Sequence, residues 1–257
     1  MVKQKLQDYE DAIVHAFIEE HAILRFLSAG DAHGDFVRVQ KYIAECMKEK
    51  QSLNVVFTGD YQAEPEKDRS RARENVKRIF KMVKERLEDK LIFVLGGNYE
   101  APAITAEAAS ELGKPLFSIG SLIETSSEES CSGNYFKHDK FTFIGVEGTN
   151  PINGFFPGER TEQELQLALE KAVEKECPTD IMILLTHAPP YRCGSRDALG
   201  VFGLPSSYWG RHVGSTAIMS FLQKHKPILH VCGHVHEGVS VSACLWREDG
   251  NVGIEDF

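Results

Sequence analysis

The segment Ile23-Leu24-Arg25-Phe26-Leu27-Ser28-Ala29-Gly30-Asp31-Ala32-His33 passes from a short apolar run into a polar turn. The apolar run at residues 23–27 predicts a strand, and the Ser-Ala-Gly that follows predicts a loop. Asp31 and His33 are two residues apart, so in extended backbone their side chains leave on the same face and can reach one cation. The segment therefore predicts a strand that ends in part of a metal site.

Four later apolar runs, at residues 54–58, 91–95, 181–186 and 228–232, are also predicted strands and also end at polar signatures. Loops at the carboxyl ends of strands in α/β folds converge on one site, so we expect these signatures to meet Asp31 and His33. The four signatures are Gly59-Asp60, Gly97-Asn98, His187 and Gly233-His234-Val235-His236.

The combined set offers two carboxylates, one amide and four imidazoles. Oxygen and imidazole ligands suit divalent cations with five or six ligands, for which Mn is our first choice and Fe, Co, Ni and Zn are alternatives. Asp60 follows a glycine at a strand end, where a carboxylate can bridge two cations, and Asn98 is a neutral oxygen donor. Two cations that share a hydroxide can attack phosphorus, so the set predicts phosphoester chemistry.

Helical patterns separate the predicted strands. Helices are predicted at residues 36–49, 70–88 and 215–225, and Thr161-Glu162-Gln163-Glu164 fits a capping box that opens a helix to about residue 176. Strands that alternate with helices indicate an α/β fold, here as a single domain over residues 1–257. An apolar stripe at about residues 3–20 predicts an additional N-terminal helix. Such a helix is either a packing element, which we prefer, or a contact in a homo-oligomer.

Composition narrows the class of protein. The chain has 257 residues, 42% of them hydrophobic, which suits one domain with a full core. The start is charged, and the apolar runs are too short to cross a bilayer, so we expect a soluble cytoplasmic protein with no membrane contact. Six cysteines without a CxxC pair are expected to be reduced thiols. A net charge of −9 argues against a general nucleic-acid binder but not against an anionic substrate, because bound cations reverse the local field.

Five motifs in fixed order are far more specific than any one of them. They are carried by Gly30-Asp31-Ala32-His33-Gly34-Asp35, Gly59-Asp60, Gly97-Asn98, Thr186-His187-Ala188-Pro189-Pro190-Tyr191 and Val231-Cys232-Gly233-His234-Val235-His236-Glu237, with His212-Val213-Gly214-Ser215 in addition. This pattern resembles the calcineurin-like metallophosphoesterase superfamily over roughly residues 23–237. The finer pattern resembles its small prokaryotic branch of Icc-type phosphoesterases. The resemblance implies a four-layer αββα sandwich of two mixed sheets flanked by helices.

The resemblance also implies roles for individual residues. A first metal would be held by Asp31, His33 and His236, a second by Asn98, His187 and His234, and Asp60 would bridge them. The implied activity is hydrolysis of a phosphomonoester or phosphodiester by a metal-bridged hydroxide, so Asp60 is also a catalytic candidate. Asn98 and His212 are the substrate-binding candidates, and a small phosphoester is the implied substrate.

The third motif departs from the family pattern. The resemblance predicts Gly-Asn-His-Asp or Gly-Asn-His-Glu, in which the histidine helps to protonate the leaving group, but this chain has Gly97-Asn98-Tyr99-Glu100. A tyrosine has an ordinary pKa of about 10 against about 6.5 for histidine, so it is poorly matched to proton transfer near neutral pH. Tyr99 is therefore either a weakened catalytic residue or a residue that only shapes the pocket.

The C-terminus departs as well. The strand predicted at residues 239–246 is followed by a turn at 247–251, and the Asn-Pro-Gly segment of the family is absent. This puts the closing part of the second sheet in question. Tyr99 and the unusual C-terminus favour an alternative to the enzyme. In this alternative, the protein has the same fold but acts as a scaffold or binds nucleotides with little turnover. The complete set of seven ligands favours the enzyme.

Overall fold

The computed structural model describes residues 13–19, 22–48, 54–120, 131–132, 135–138, 140–151, 154–174, 181–193, 211–234, 242–246 and 252–255. The helices in these residues are α1 (Phe36–Lys48), α2 (Arg69–Arg86), α3 (Ile104–Leu112), α4 (Glu162–Val173) and α5 (Thr216–His225). The strands are β1 (Ile13–Glu19), β2 (Ala22–Ala29), β3 (Asn54–Phe57), β4 (Ile92–Val94), β5 (Leu116–Ser118), β6 (Cys131–Ser132), β7 (Tyr135–His138), β8 (Phe141–Val146), β9 (Ile181–Thr186), β10 (Leu229–Cys232), β11 (Ser242–Trp246) and β12 (Val252–Glu255).

These strands form two mixed sheets. The first has the order β1-β2-β3-β4-β5, in which β2 to β5 are parallel and β1 is antiparallel to β2. The second has the order β12-β11-β10-β9-β8-β7-β6, with β8, β9 and β10 parallel and antiparallel strands on both sides. Helical crossovers join the parallel strands and cover the outer face of each sheet, so these strands are buried on both faces. Burial on both faces explains why their apolar runs are nearly continuous.

The strand side chains alternate between two cores. Val55 and Phe57 of β3 pack against α1, α2 and α3, whereas Val56 between them joins the core that lies between the sheets. In β9, Ile183 joins the same intersheet core, and Leu184 packs against α4 and α5. The layers are therefore helix, sheet, sheet and helix, and the predicted αββα sandwich is confirmed.

The predicted helix starts agree with the capping residues. Thr161 accepts a hydrogen bond from Glu164 N at 3.2 Å, and the Glu164 carboxylate accepts one from Thr161 N at 2.8 Å, which confirms the capping box. Ser215 accepts from Ile218 N at the start of α5. Within the described residues, no helix combines the length and apolarity that a bilayer span requires.

The sequence predicted an N-terminal helix at about residues 3–20. This prediction is wrong for residues 13–19, which form the strand β1. The strand pairs antiparallel with β2, from Ile13↔Ser28 to Glu19↔Ala22. The sequence Ile-Val-His-Ala-Phe-Ile at 13–18 is rich in β-branched and aromatic residues, and a ladder to a neighbouring strand satisfies the backbone in a way that a short isolated helix does not. Residues 3–12 lie outside the described residues.

The second sheet continues at its C-terminal edge without the Asn-Pro-Gly segment. Strand β11 pairs antiparallel with β10, and β12 pairs antiparallel with β11. The strand predicted at 239–246 is present at Ser242–Trp246, and residues 239–241 and 247–251 lie outside the described residues. The question that the sequence raised about this sheet is therefore answered, because two strands extend it beyond β10.

Candidate metal centre

The candidate ligands follow parallel strands in both sheets. Asp31, Asp60 and Asn98 come after β2, β3 and β4 of the first sheet, and His187 and His234 come after β9 and β10 of the second. The carboxyl ends of parallel strands lie at the same edge of a sheet, so the topology brings residues that are far apart in sequence to one place. The site lies where the two sheets present these ends to each other.

The ligand loops adopt backbone conformations that are uncommon for non-glycine residues. The φ angle is 53° at Asp31, 43° at His33, 52° at Asp60 and 82° at His234. Hydrogen bonds from Asp31 N to Gly59 O (3.0 Å) and from His33 N to Asp60 O (2.8 Å) tie the first two loops together. Such conformations persist only where the surroundings fix them, and they are concentrated at functional sites.

Asp60 is at the centre of the cluster. One ligand atom from each of Asp60, His187 and His234 lies within 4.8 Å of the others, and the same holds for Asp31, His33 and Asp60. Asp60 Oδ2 is 3.4 Å from His187 Nε2 and 3.8 Å from His33 Nε2. One carboxylate therefore belongs to two groups of donors, which is the arrangement that a bridging ligand requires.

His187 is oriented as a ligand. Its Nδ1 lies 2.7 Å from the Thr58 carbonyl oxygen, which can only accept a hydrogen bond, so Nδ1 carries a proton. Its Nε2 is thereby directed towards Asn98 Oδ1, 3.0 Å away, and towards Asp60. A backbone carbonyl that fixes the tautomer in this way is a common second contact of metal-binding histidines.

The charges around His187 and Asp60 support each other. Burial favours the neutral form of His187, but the carboxylates of Asp60 and Asp31 outweigh it and raise the pKa of His187 to about 9. Burial likewise opposes ionisation of Asp60, but the neighbouring His187 lowers the pKa of that carboxyl below its ordinary value. Buried carboxylates at this spacing need positive charge between them, and the oxygen and imidazole donors fit divalent cations.

Tyr99 lies beside the cluster. Its backbone N donates to Asp60 Oδ1 at 3.0 Å, and its ring meets the His33 ring edge-on with centroids 4.7 Å apart. Burial and then the nearby Asp60 carboxylate raise the pKa of the Tyr99 phenol. A Cβ at Gly97 would lie 2.0 Å from Asp60 Oδ1, so only glycine allows this approach of the two loops.

Glu100 is a positioning residue that the sequence reasoning missed. Its buried carboxylate accepts hydrogen bonds from the backbone N of Asp60 (3.0 Å), Tyr61 (2.9 Å), Gln62 (3.2 Å) and Gly97 (2.9 Å). Burial and the Asp60 carboxylate raise the pKa of Glu100 to about 7, against the opposing amide donors. One side chain thus fixes the loops of two candidate ligands, and the acidic residue two positions after Asn98 was the signal for it.

The role of His212 as a substrate contact stays a prediction. The His212 ring is edge-on to Tyr191 with centroids 5.9 Å apart. The segment that follows is held by Asn150 Nδ2, which donates to Val213 O at 3.0 Å. The two donor groups around Asp60 together contain five of the described residues. His212 is not one of these five. The predicted ligand His236 lies outside the described residues.

Comparison with known proteins defines the class. The model of the family Metallophos, described as calcineurin-like phosphoesterase, matches residues 24–238. The chain therefore belongs to this family of phosphoester hydrolases, as the sequence predicted, and the two donor groups agree with a family that typically binds divalent metals. No curated protein is significantly similar to the chain in sequence.

One solved structure shows the same fold. The chain is similar to the phosphopantetheinyl hydrolase PptH from Mycobacterium tuberculosis, with a TM-score of 0.52 and 14% identity over 90% of this chain and 87% of that chain. It is also similar to the NAD nucleotidase NadN from Haemophilus influenzae, with a TM-score of 0.37 and 12% identity over 96% of this chain and 47% of that chain. At this identity, the first likeness supports the fold alone.

Proposed function

We propose that the chain hydrolyses a phosphomonoester or a phosphodiester at a dinuclear metal centre. The observation that carries the proposal is the position of Asp60 in both donor groups, because a shared carboxylate is what two adjacent cations need. The proposed ligands are Asp31, His33 and His236 for the first cation, Asn98, His187 and His234 for the second, and Asp60 for both. Manganese is the proposed metal, with Fe, Zn, Co and Ni as alternatives.

The residues of the chain have distinct proposed tasks. When bound, the two cations would lower the pKa of a shared water and neutralise charge on the phosphate oxygens. Thr58 O holds the His187 ring so that Nε2 points into the site. Asn98 directs its Oδ1 towards His187, and its amide nitrogen is the proposed donor to a phosphate oxygen. Glu100 keeps the Asp60 and Asn98 loops together through backbone amides.

The first test measures metal content and turnover together. The protein is incubated with Mn²⁺, and bound metal and hydrolysis of bis-p-nitrophenyl phosphate are measured in the parent, Asp60→Asn and Asp89→Asn. The proposal expects two bound ions and turnover in the parent, loss of both in Asp60→Asn, and no change in Asp89→Asn, whose carboxylate is on the surface. Two bound ions without turnover would favour the scaffold or nucleotide-binding alternative, and an empty site would contradict a metal centre.

Tyr99 is proposed to restrict the leaving group. A neutral phenol can donate a hydrogen bond but transfers a proton slowly near neutral pH, so esters with acidic leaving groups are favoured over alkyl esters. Tyr99→His is expected to raise kcat/KM for an alkyl phosphate by about 100-fold or more, the lower end of the usual contribution of a general acid, and to change an aryl phosphate much less. Equal effects on both esters would mean that Tyr99 only shapes the pocket.

A further inference from the structure

Tyr99 is fixed to the candidate ligands at both its backbone and its ring. The backbone N donates to the Asp60 carboxylate, and the ring contacts the His33 ring at an interplanar angle of 73°. A tyrosine at this position therefore presents an aromatic surface that cannot move without disturbing two proposed ligands. The residue remains partly exposed, so a bound molecule can reach it.

A second aromatic ring extends this surface away from the metal ligands. Phe156 stacks on Tyr99 with ring centroids 5.2 Å apart and an interplanar angle of 25°. Phe156 is also only partly buried, although a large aromatic side chain is usually placed in a core. His33, Tyr99 and Phe156 thus form a continuous row of rings that begins at a candidate ligand.

The loop that carries Phe156 is held in place independently of any ligand. Gly158 N donates to Asn98 O at 3.0 Å, and a Cβ at Gly158 would lie 2.2 Å from Gly97 O, so this loop touches the ligand loop directly. Two residues further on, Arg160 forms a buried ion pair with Glu147 at 2.6 Å. Both ends of the stack are therefore preorganised, which lowers the cost of binding against it.

We propose that Tyr99 and Phe156 form an aromatic wall that makes the site selective for phosphoesters that carry a planar ring. The proposal rests on the proposed phosphoester function and adds the chemical class of the organic group. A planar ring can pack against such a wall by offset stacking or edge to face, and both arrangements are attractive beyond the area that they bury. An alkyl group of the same substrate gains only the burial of its apolar surface.

The test compares two phosphonates, because their P–C bond is not hydrolysed and binding is measured apart from turnover. Dissociation constants of phenylphosphonate and methylphosphonate are measured by calorimetry with the Mn²⁺-loaded parent. The aromatic wall is expected to favour the phenyl compound by about 3- to 10-fold, the range of an aromatic pair. This preference should fall in Phe156→Leu, which keeps an apolar side chain but loses the ring, and persist in Phe156→Tyr, which keeps the ring. Thermal unfolding of Phe156→Leu shows whether that variant is folded.

Phe155→Leu is the matched control. Phe155 is the neighbouring phenylalanine in the same loop, and its side chain is 85% exposed. Its replacement is therefore the same phenylalanine-to-leucine change, made outside the aromatic wall. The control is expected to keep the preference for the phenyl compound. Equal affinities of the two phosphonates in the parent, or an unchanged preference in Phe156→Leu, would overturn the proposal. A phenyl preference in a protein that hydrolyses no phosphoester would leave the aromatic wall standing and refute the proposed function instead.

Discussion

Two histidines on neighbouring parallel strands are equally buried but differ in charge. His187 follows β9 and His230 lies within β10, and both are 0% exposed. Carboxylates beside His187 overcome its burial and raise its pKa to about 9, whereas burial lowers the pKa of His230 to about 3. Burial therefore does not distinguish a candidate ligand from a core histidine, and the charges that face the ring do.

Their hydrogen bonds show the same division. Nδ1 of His187 donates a hydrogen bond to a backbone carbonyl oxygen, and Nε2 faces Asn98 and Asp60. His230 uses Nε2 on the Thr186 hydroxyl, 2.8 Å away, and that hydroxyl donates to Ala188 O at 2.6 Å. His230 thereby supports the chain on both sides of His187. One histidine is a proposed metal ligand, and the other holds the strand end that presents it.

The largest expected effect separates these roles by metal affinity. His187→Gln is expected to weaken Mn²⁺ binding at one of two sites by about 100-fold or more, since even residues that only contact a ligand are worth 10- to 100-fold. His230→Gln keeps a donor for the Thr186 hydroxyl and is expected to change the affinity by less than about 3-fold, because it acts only through the backbone. Calorimetric titration with Mn²⁺ measures both.

The comparison between the two histidines fails if the variants weaken Mn²⁺ binding equally. Thermal unfolding of both metal-free variants serves as the control, since a folding defect would reduce the number of binding-competent molecules without changing the affinity of the remainder. Two Mn²⁺ ions bound at unchanged affinity in His187→Gln would also contradict a ligand role.

The next effect concerns stability in acid. Below pH 6.5, unfolded His230 binds a proton that folded His230, with its pKa of about 3, does not, so stability falls as the pH drops from 6.5 towards 3. At pH 5 this difference amounts to about 2 kcal/mol. His230→Gln removes it, so the variant should gain about 2 kcal/mol relative to the parent between pH 7 and pH 5.

Urea unfolding at pH 7 and pH 5 tests this prediction. His138→Gln makes the same substitution at an exposed histidine and serves as the matched control. A parallel pH dependence of the parent and His230→Gln would show that His230 takes up its proton in the folded state, against its proposed core role.

The sequence predicted the elements that carry the site with small errors. The strands predicted at 54–58 and 181–186 agree with β3 and β9 to within one residue, and the helix predicted at 215–225 begins one residue later, at Thr216. These elements have apolar runs or capping residues whose effect is local. Five of the seven predicted ligands also have donor atoms in the two groups around Asp60, because strand ends converge in this fold.

What the sequence did not reveal depends on contacts between distant segments. The helical stripe at the N-terminus was overridden in Ile13–Glu19 by pairing with β2. Glu100 gains its importance from amides about 40 residues away, at Asp60 to Gln62, and the stack of Phe156 on Tyr99 joins two loops. No periodicity in one segment carries such information, since it arises only when the loops meet.

The smallest expected effect is the proton that Mn²⁺ displaces from His187. Because the pKa of His187 is about 9, metal-free protein at pH 8 carries this proton, whereas a histidine with the ordinary pKa of about 6.5 is mostly neutral there. Ligation requires the neutral ring, so Mn²⁺ binding should release about one proton. Below pH 9, the affinity for Mn²⁺ should therefore rise by about 10-fold for each unit by which the pH increases. Calorimetry in two buffers of different ionisation enthalpy counts the protons. His187→Gln should release about one fewer, and an equal count in the parent and the variant would mean that the carboxylates of Asp60 and Asp31 do not hold His187 charged.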